Sequence, residues 1–220
     1  MTLEGRLQNL SGFGMTQSAD AYLYQPTCED DIRALLRIAR ETGRRVVLRG
    51  AGRSYGDAAL YPESIAIGFE RFHRVLSWDP SSGVLVAEAG ATIGDLWRYT
   101  LQDGWWPPVV SGTMFPTLGG ALAMNIHGKN AFRAGTLGEH VEWLDLMDTD
   151  GVVHRVLPGT EPFRAVIGGA GLAGIVLRAA LRMKKVPSGD LRVYAQAAAN
   201  WEEQFEVFER LEADADYLVS

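Results

Sequence analysis

The chain has 220 residues, 47% of them hydrophobic, which is enough to bury a full core in one domain or two small ones. Its 27 acidic residues outnumber 21 lysines and arginines, and a net charge of −6 with a pI near 5.3 excludes the basic surface that binding nucleic-acid phosphates requires. No apolar run approaches the ~20 residues of a membrane span, and the polar start with Glu4 and Arg6 lacks a signal-peptide core, so a cytoplasmic protein without a transmembrane segment is expected. A single cysteine, Cys28, excludes an internal disulfide and a multi-cysteine metal centre and is read as structural filler; no metal site is expected.

In chain order, residues 22–25 read as a short strand. Thr27, with Asp30 three positions on, has the spacing of a capping box. Ile32, Leu35, Leu36 and Ala39 fall at helical spacing, and Gly43 is placed to stop that helix before a strand over 45–48. This is a βαβ start. The strand runs into Arg49-Gly50-Ala51-Gly52-Arg53-Ser54-Tyr55-Gly56-Asp57, a glycine-rich turn whose successive backbone N–H groups can hold a pyrophosphate. Its glycines lack both the GxGxxG spacing and the following helix of a Rossmann fingerprint, so it is read as a phosphate nest of another kind.

Strands over 74–78 and 84–89 flank Asp79-Pro80-Ser81-Ser82-Gly83 and read as a hairpin. Thr92 and Asp95 cap a helix carrying Ile93, Leu96, Trp97 and Leu101, closed by Gly104. Beyond Ser111-Gly112-Thr113, the run from Thr117 to Asn130 crowds small residues together with His127 and Lys129, and a large planar cofactor can lie against it. Paired with the first glycine cluster, it points to a flavin adenine dinucleotide (FAD) site.

A second hairpin is expected from 141–147 and 152–156 around 148–151, and another strand over 175–183. Gly169-Ala170-Gly171-Leu172-Ala173-Gly174 fits GxGxxG literally, but a helix-like segment over 162–167 precedes it and a strand follows. The fingerprint needs the opposite order, so these glycines read as a tight turn that lets backbone approach a ligand or a neighbouring strand. Residues 184–190 read as a linker, 191–197 as a strand, 201–211 as a helix with Phe205, Phe208 and Leu211 on one face, and 217–220 as the start of a strand. The class is α+β with mixed sheets, and the chain is read as a fragment of a longer protein.

Arg49 to Asp57, Thr117-Leu118-Gly119-Gly120, Asn125-Ile126-His127-Gly128-Lys129-Asn130 and Gly168 to Ile175 together resemble the flavin domain of the vanillyl-alcohol oxidase (PCMH-type) superfamily. The decaprenylphosphoryl-β-D-ribose 2′-oxidase branch is the nearest match, in order from about residue 25 to 183. The resemblance implies two α+β subdomains over 1–185, dividing near 90–110 and holding FAD between them, with 186–220 opening a substrate domain.

Residue by residue, the likeness places Leu48, Arg49, Gly50, Ala51, Gly52, Arg53, Ser54, Tyr55, Gly56, Asp57 and Ala58 around the pyrophosphate. It sets Gly112, Thr117, Leu118, Gly119 and Gly120 against the dinucleotide. Met124, Asn125, Ile126 and His127 border the flavin, and Ile175 contacts the adenine half. Tyr55, His127 and Lys129 face the substrate side as catalytic candidates. Many relatives attach the flavin through a histidine after the Gly-x-Gly; Arg53 stands there, so the resemblance implies non-covalent FAD. The implied reaction oxidises the secondary alcohol of a small or lipid-linked sugar to a ketone, with a separate reductase as a partner. The alternatives are another alditol, lactone or hydroxy-acid oxidase, or a flavin-binding module without turnover.

Overall fold

In the computed structural model, which describes residues 4–220, the chain begins with an antiparallel hairpin of β1 (Arg6–Ser11) and β2 (Ser18–Tyr24). Helix α1 (Glu29–Thr42) carries the chain to β3 (Val46–Arg49). The βαβ unit is present, but β4 (Ile65–Gly68) lies between its strands, pairing in parallel with both. β4 escapes sequence reading because all four of its residues are buried, leaving none of the alternation that marks a half-exposed strand.

The apolar face of α1 is the expected one, with Ile32, Leu35, Leu36 and Ala39 buried, and Gly43 ends it at φ 68° in the left-handed region. Its start is one residue later than the capping-box spacing implies. Cys28 is the N-cap and makes no side-chain cap, while Asp31 rather than Asp30 accepts from the Thr27 backbone N–H (2.8 Å) and hydroxyl (3.0 Å). The Thr27 N–H is the main reason the Asp31 carboxyl is held below the ordinary carboxylate range.

A second sheet contains β5 (Val75–Asp79), β6 (Val84–Glu88), β8 (Val141–Met147), β9 (Val153–Val156) and β10 (Ile175–Arg182), all antiparallel in the order β5-β6-β10-β8-β9. Both expected hairpins are there. Between them run α2 (Ile93–Thr100), the short strand β7 (Trp105–Trp106), α3 (Leu118–Ala123) and α4 (Ala131–Ala134). Thr92 and Asp95 form a complete capping box on α2, and Gly104 closes that segment at φ 77°. Helix α5 (Glu161–Val166) leads into the 168–174 turn.

One continuous cluster of buried side chains joins the two sheets: Ile65 and Ile67 from the first with Ile32 and Leu35 of α1 packed on it, Leu85, Leu144, Met147 and Leu177 from the second, with Ile93, Leu96, Leu118 and Leu122 between. Each such side chain contributes about 1.5–3 kcal/mol of burial. An ionic network reinforces the second sheet and ties it to α1. Asp145 on β8, 7% exposed at its side chain, accepts from Arg155 on β9 and from Arg178 Nε on β10 (2.7 Å), and Arg178 also donates to Glu29 on α1 (2.6 Å).

Past β10 the structure departs from the sequence reading. Residues 184–190 begin as a strand, β11 (Lys184–Lys185), paired with β7. Residues 191–197 form no strand, and Leu191, Val193 and Tyr194 are exposed: a strand pattern needs a sheet edge to pair with, and none among the described residues meets it. Helix α6 (Trp201–Leu211) forms over the expected span, but Val207 is its buried residue and Phe205 lies in solvent. Residues 217–220 are not a strand; the Leu218 N–H donates to the Lys129 carbonyl. Among the described residues no helix is long and apolar enough to cross a membrane, and no group of three or more His, Cys, Asp or Glu side chains is placed to hold a metal ion.

Candidate functional site

All three glycine clusters open onto one cavity of about 620 Å³. The end of β3 and the loop after it form one wall, from Leu48 and Gly50 through Gly56 to Ala59. Ala89, just past β6, lies against α3, whose Gly119, Gly120 and Ala123 also line the space; Ala170, Gly171, Gly174 and Val176 close it from the third cluster. Arg53 and Asp57 are the charged residues of this lining. The rest is small, apolar or backbone, the surface that a flat aromatic ligand with a few polar attachments requires.

The phosphate loop has unspent donors. No backbone N–H from Gly50 to Ala58 donates to a protein acceptor among the described residues, so these donors are left for a ligand or for water. A Cβ at Gly56 or at Gly112 would meet nothing within 4 Å, so both positions border open space. Gly52 takes φ 64°, the left-handed step that aims successive N–H groups at one point. The start of α3 is different: Thr117 caps Gly120 (3.2 Å), while Leu118 and Gly119 donate to the Ala91 and Ala89 carbonyls (both 2.7 Å). Its backbone donors are used to lock α3 onto the end of β6, leaving the glycine faces as a bare wall.

Leu48, Gly50, Ala51, Gly52, Arg53, Ser54, Tyr55, Gly56, Asp57 and Ala58 all border the cavity, as do Gly112, Thr117, Gly119, Gly120, Met124 and Ile126. Six expected residues do not. Leu118 is fully buried in the core, and Ile175 points into that core while its neighbour Val176 faces the cavity, the alternation of a strand. Asn125, in the left-handed region at φ 43°, turns its side-chain oxygen to the Gly138 N–H (3.0 Å). Arg49 lies behind the loop: its Nη2 donates to the Ser11 carbonyl (2.8 Å), its Nη1 is buried without a partner, and desolvation lowers the guanidinium pKa. His127 and Lys129 are exposed beyond the cavity wall, His127 in a β-bridge with Thr136.

Tyr55, 74% exposed, stands at the opening with Phe13 edge-on at 5.3 Å. Phe13 is the residue that sequence reading misses most clearly; its flanking Gly12 and Gly14 were the available signal. Phe69, Ala89 and Val176 also line the site, but as ordinary strand-end residues they carry no signal in the sequence.

The cavity therefore fits a dinucleotide: free N–H donors on one wall, a glycine face on another, and small residues where a ring must lie flat. The sequence profile of the family described as "FAD binding domain" matches residues 21–157, and the chain belongs to that family, whose cofactor is FAD. The chain is similar to decaprenylphosphoryl-β-D-ribose oxidase of Mycolicibacterium smegmatis, 37% identical over 180 residues, which are 80% of this chain and 39% of that protein. It is also similar to D-arabinono-1,4-lactone oxidase of Eremothecium gossypii (26% identity, 93% of this chain, 39% of that protein). Mouse L-gulonolactone oxidase matches at 27% identity over 72% of this chain and 36% of its own length. The chain thus spans about two fifths of the length of these relatives.

Proposed function

We propose that this chain is the FAD-holding part of an oxidoreductase that converts the secondary alcohol of a small or lipid-linked sugar to a ketone, in the manner of a decaprenylphosphoryl-ribose 2′-oxidase. The observation that carries the reading is the loop of unspent N–H donors facing a glycine wall, in a chain 37% identical to such an oxidase. When bound, FAD supplies the two-electron acceptor. The protein's part is positional. The 50–58 loop takes the pyrophosphate on its N–H groups, and Gly119 and Gly120 leave room for the flat part of the cofactor. Tyr55 at the opening orients the sugar; His127 and Lys129 lie outside the cavity wall, so their place on the substrate side, with a ring nitrogen of His127 taking the hydroxyl proton, rests on the family resemblance.

In this reading residues 1–185 are the FAD unit and 186–220 open the substrate domain, the protein works in the cytoplasm, and a separate reductase consumes the ketone. The test is anaerobic bleaching of bound flavin by decaprenylphosphoryl ribose, by arabinono- or gulonolactone, and by simple alditols, on this chain and on a version extended by a substrate domain. Bleaching by the lipid-linked ribose in the extended form is expected, slowed in His127→Ala with FAD content retained. Bleaching by a lactone alone moves the protein to the second reading, a lactone oxidase, which two of the relatives favour. Equal rates in both forms would place the whole site within these residues.

The flavin is held without a covalent bond in this proposal. A guanidinium is a poor nucleophile, and that of Arg53 is engaged over the Phe115 ring (4.8 Å). Acid precipitation is expected to release all yellow colour to the supernatant; a yellow washed pellet would refute it.

A further inference from the structure

The geometry points to the tip of the β1–β2 hairpin as a positioning element for the dinucleotide's phosphates: it grips the carbonyl side of the phosphate loop and so turns the loop's N–H groups away from itself. This rests on the cofactor reading above. The tip lies ahead of residue 21, where the family profile begins to match.

Three contacts make the grip. The Phe13 N–H donates to the Ser54 carbonyl (2.9 Å). A Cβ on Gly12 would stand 2.8 Å from the carbonyl oxygens of both Ser54 and Gly56, and one on Gly14 would stand 2.8 Å from that of Tyr55. From below, Arg49 ties the end of β1 to the loop, donating to Ser11 while its Nη2 sits 2.5 Å from where a Gly52 Cβ would be. Neither Gly12 nor Gly14 has a positive φ, so close approach is the reason that both positions need glycine.

Three consecutive carbonyls facing one neighbour have a fixed consequence. In a trans peptide the C=O of one residue and the N–H of the next point in opposite directions. With the carbonyls of Ser54, Tyr55 and Gly56 on the hairpin, the N–H groups of Tyr55, Gly56 and Asp57 point away from it, and all three of these residues border the cavity. The loop is thus shaped before any ligand arrives, which lowers the ordering cost of binding an anion. Phe13 adds an edge-on contact to Tyr55 (5.3 Å) and lies under the Arg53 guanidinium (5.6 Å), so the tip also fixes the directions of two cavity side chains.

The test compares the wild-type chain with Gly14→Val, the milder Gly14→Ala, and Leu7→Ala as a control on the exposed face of β1. FAD affinity is read by fluorescence titration of flavin-free protein, and loop order by trypsin cleavage after Arg53 against cleavage after Arg155. Gly14→Val is expected to weaken FAD binding by about tenfold or more and to speed cleavage after Arg53 but not after Arg155. Gly14→Ala should move both in the same direction by less, and Leu7→Ala neither. Wild-type affinity in Gly14→Val, or acceleration at both cleavage sites alike, overturns the proposal. If wild-type protein takes up no FAD, the cofactor reading fails, and selective cleavage after Arg53 still decides whether the hairpin shapes the loop.

Discussion

Replacing Asp145 with alanine is expected to destabilise the fold by about 3 kcal/mol, at the lower end for breaking a buried ion pair. Asp145 is the shared acceptor of Arg155 and Arg178, so its loss unties β9 and β10 from β8 and removes the buried carboxylate that both guanidinium groups face. The cost stays near the lower end because Glu29 continues to hold Arg178, and Arg155 keeps its place over the Trp143 ring (3.5 Å). The same group gives the protein an acid limb. Burial alone would raise the Asp145 pKa, but hydrogen bonds and charge from Arg155 and Arg178 outweigh it and hold the carboxyl below its ordinary value of 3.8. Its contribution is therefore full above the unfolded-state pKa and is lost as pH falls through the lower folded value. Urea unfolding from neutral pH down to below about pH 4 should show stability falling less steeply in Asp145→Asn than in the wild type. An unchanged slope would show that other carboxylates set the acid limb.

Gly50→Ala is expected to cost about 2 kcal/mol in stability and to weaken FAD binding by about tenfold or more. At Gly50 the first glycine cluster touches the second: a Cβ there would stand 2.3 Å from the Thr117 hydroxyl, the group that caps α3. An added methyl must push the phosphate loop and the glycine wall apart. The next-nearest Thr117 atoms are 3.4 and 3.5 Å away, so deleting the hydroxyl makes room. Thr117→Ala alone should cost about 1 kcal/mol as a lost cap. The Gly50→Ala/Thr117→Ala pair should then bind FAD better than Gly50→Ala alone, a favourable coupling that a double-mutant cycle measures. Strict additivity would mean the two clusters do not bear on each other.

What the sequence discloses is what is local. The apolar faces of α1 and α2, the Gly43 stop of α1 and the capping box of α2 lie within about four turns of chain, so period and end residues identify them, whereas the N-cap of α1 falls one residue past the expected Thr27. The glycine loop after β3 is equally local, and its residue types mark it as a candidate holder of a pyrophosphate, which becomes a FAD reading only with the second glycine cluster beside it. α3 is hidden because Gly119 and Gly120 are poor helix formers; its helix is imposed by the bonds to Ala89 and Ala91. Phe13 reaches the cavity only because the hairpin folds back over forty residues of chain onto Ser54, a contact no pattern window contains. The 191–197 segment shows the converse: an alternating apolar pattern states a readiness to pair, and the sheet edge must come from elsewhere.

The core shared by the two sheets bears on how the protein melts. Side chains on both sides of the cavity belong to one buried cluster, so neither sheet can lose its packing without uncovering the other's. Heating should therefore give a single cooperative transition in which the cavity and the fold vanish together. Because the dinucleotide binds only the intact assembly, each tenfold excess of free cofactor over its dissociation constant adds about 1.4 kcal/mol to the stability of the whole chain. The flavin acts in this way as a thermodynamic ballast for residues that never touch it.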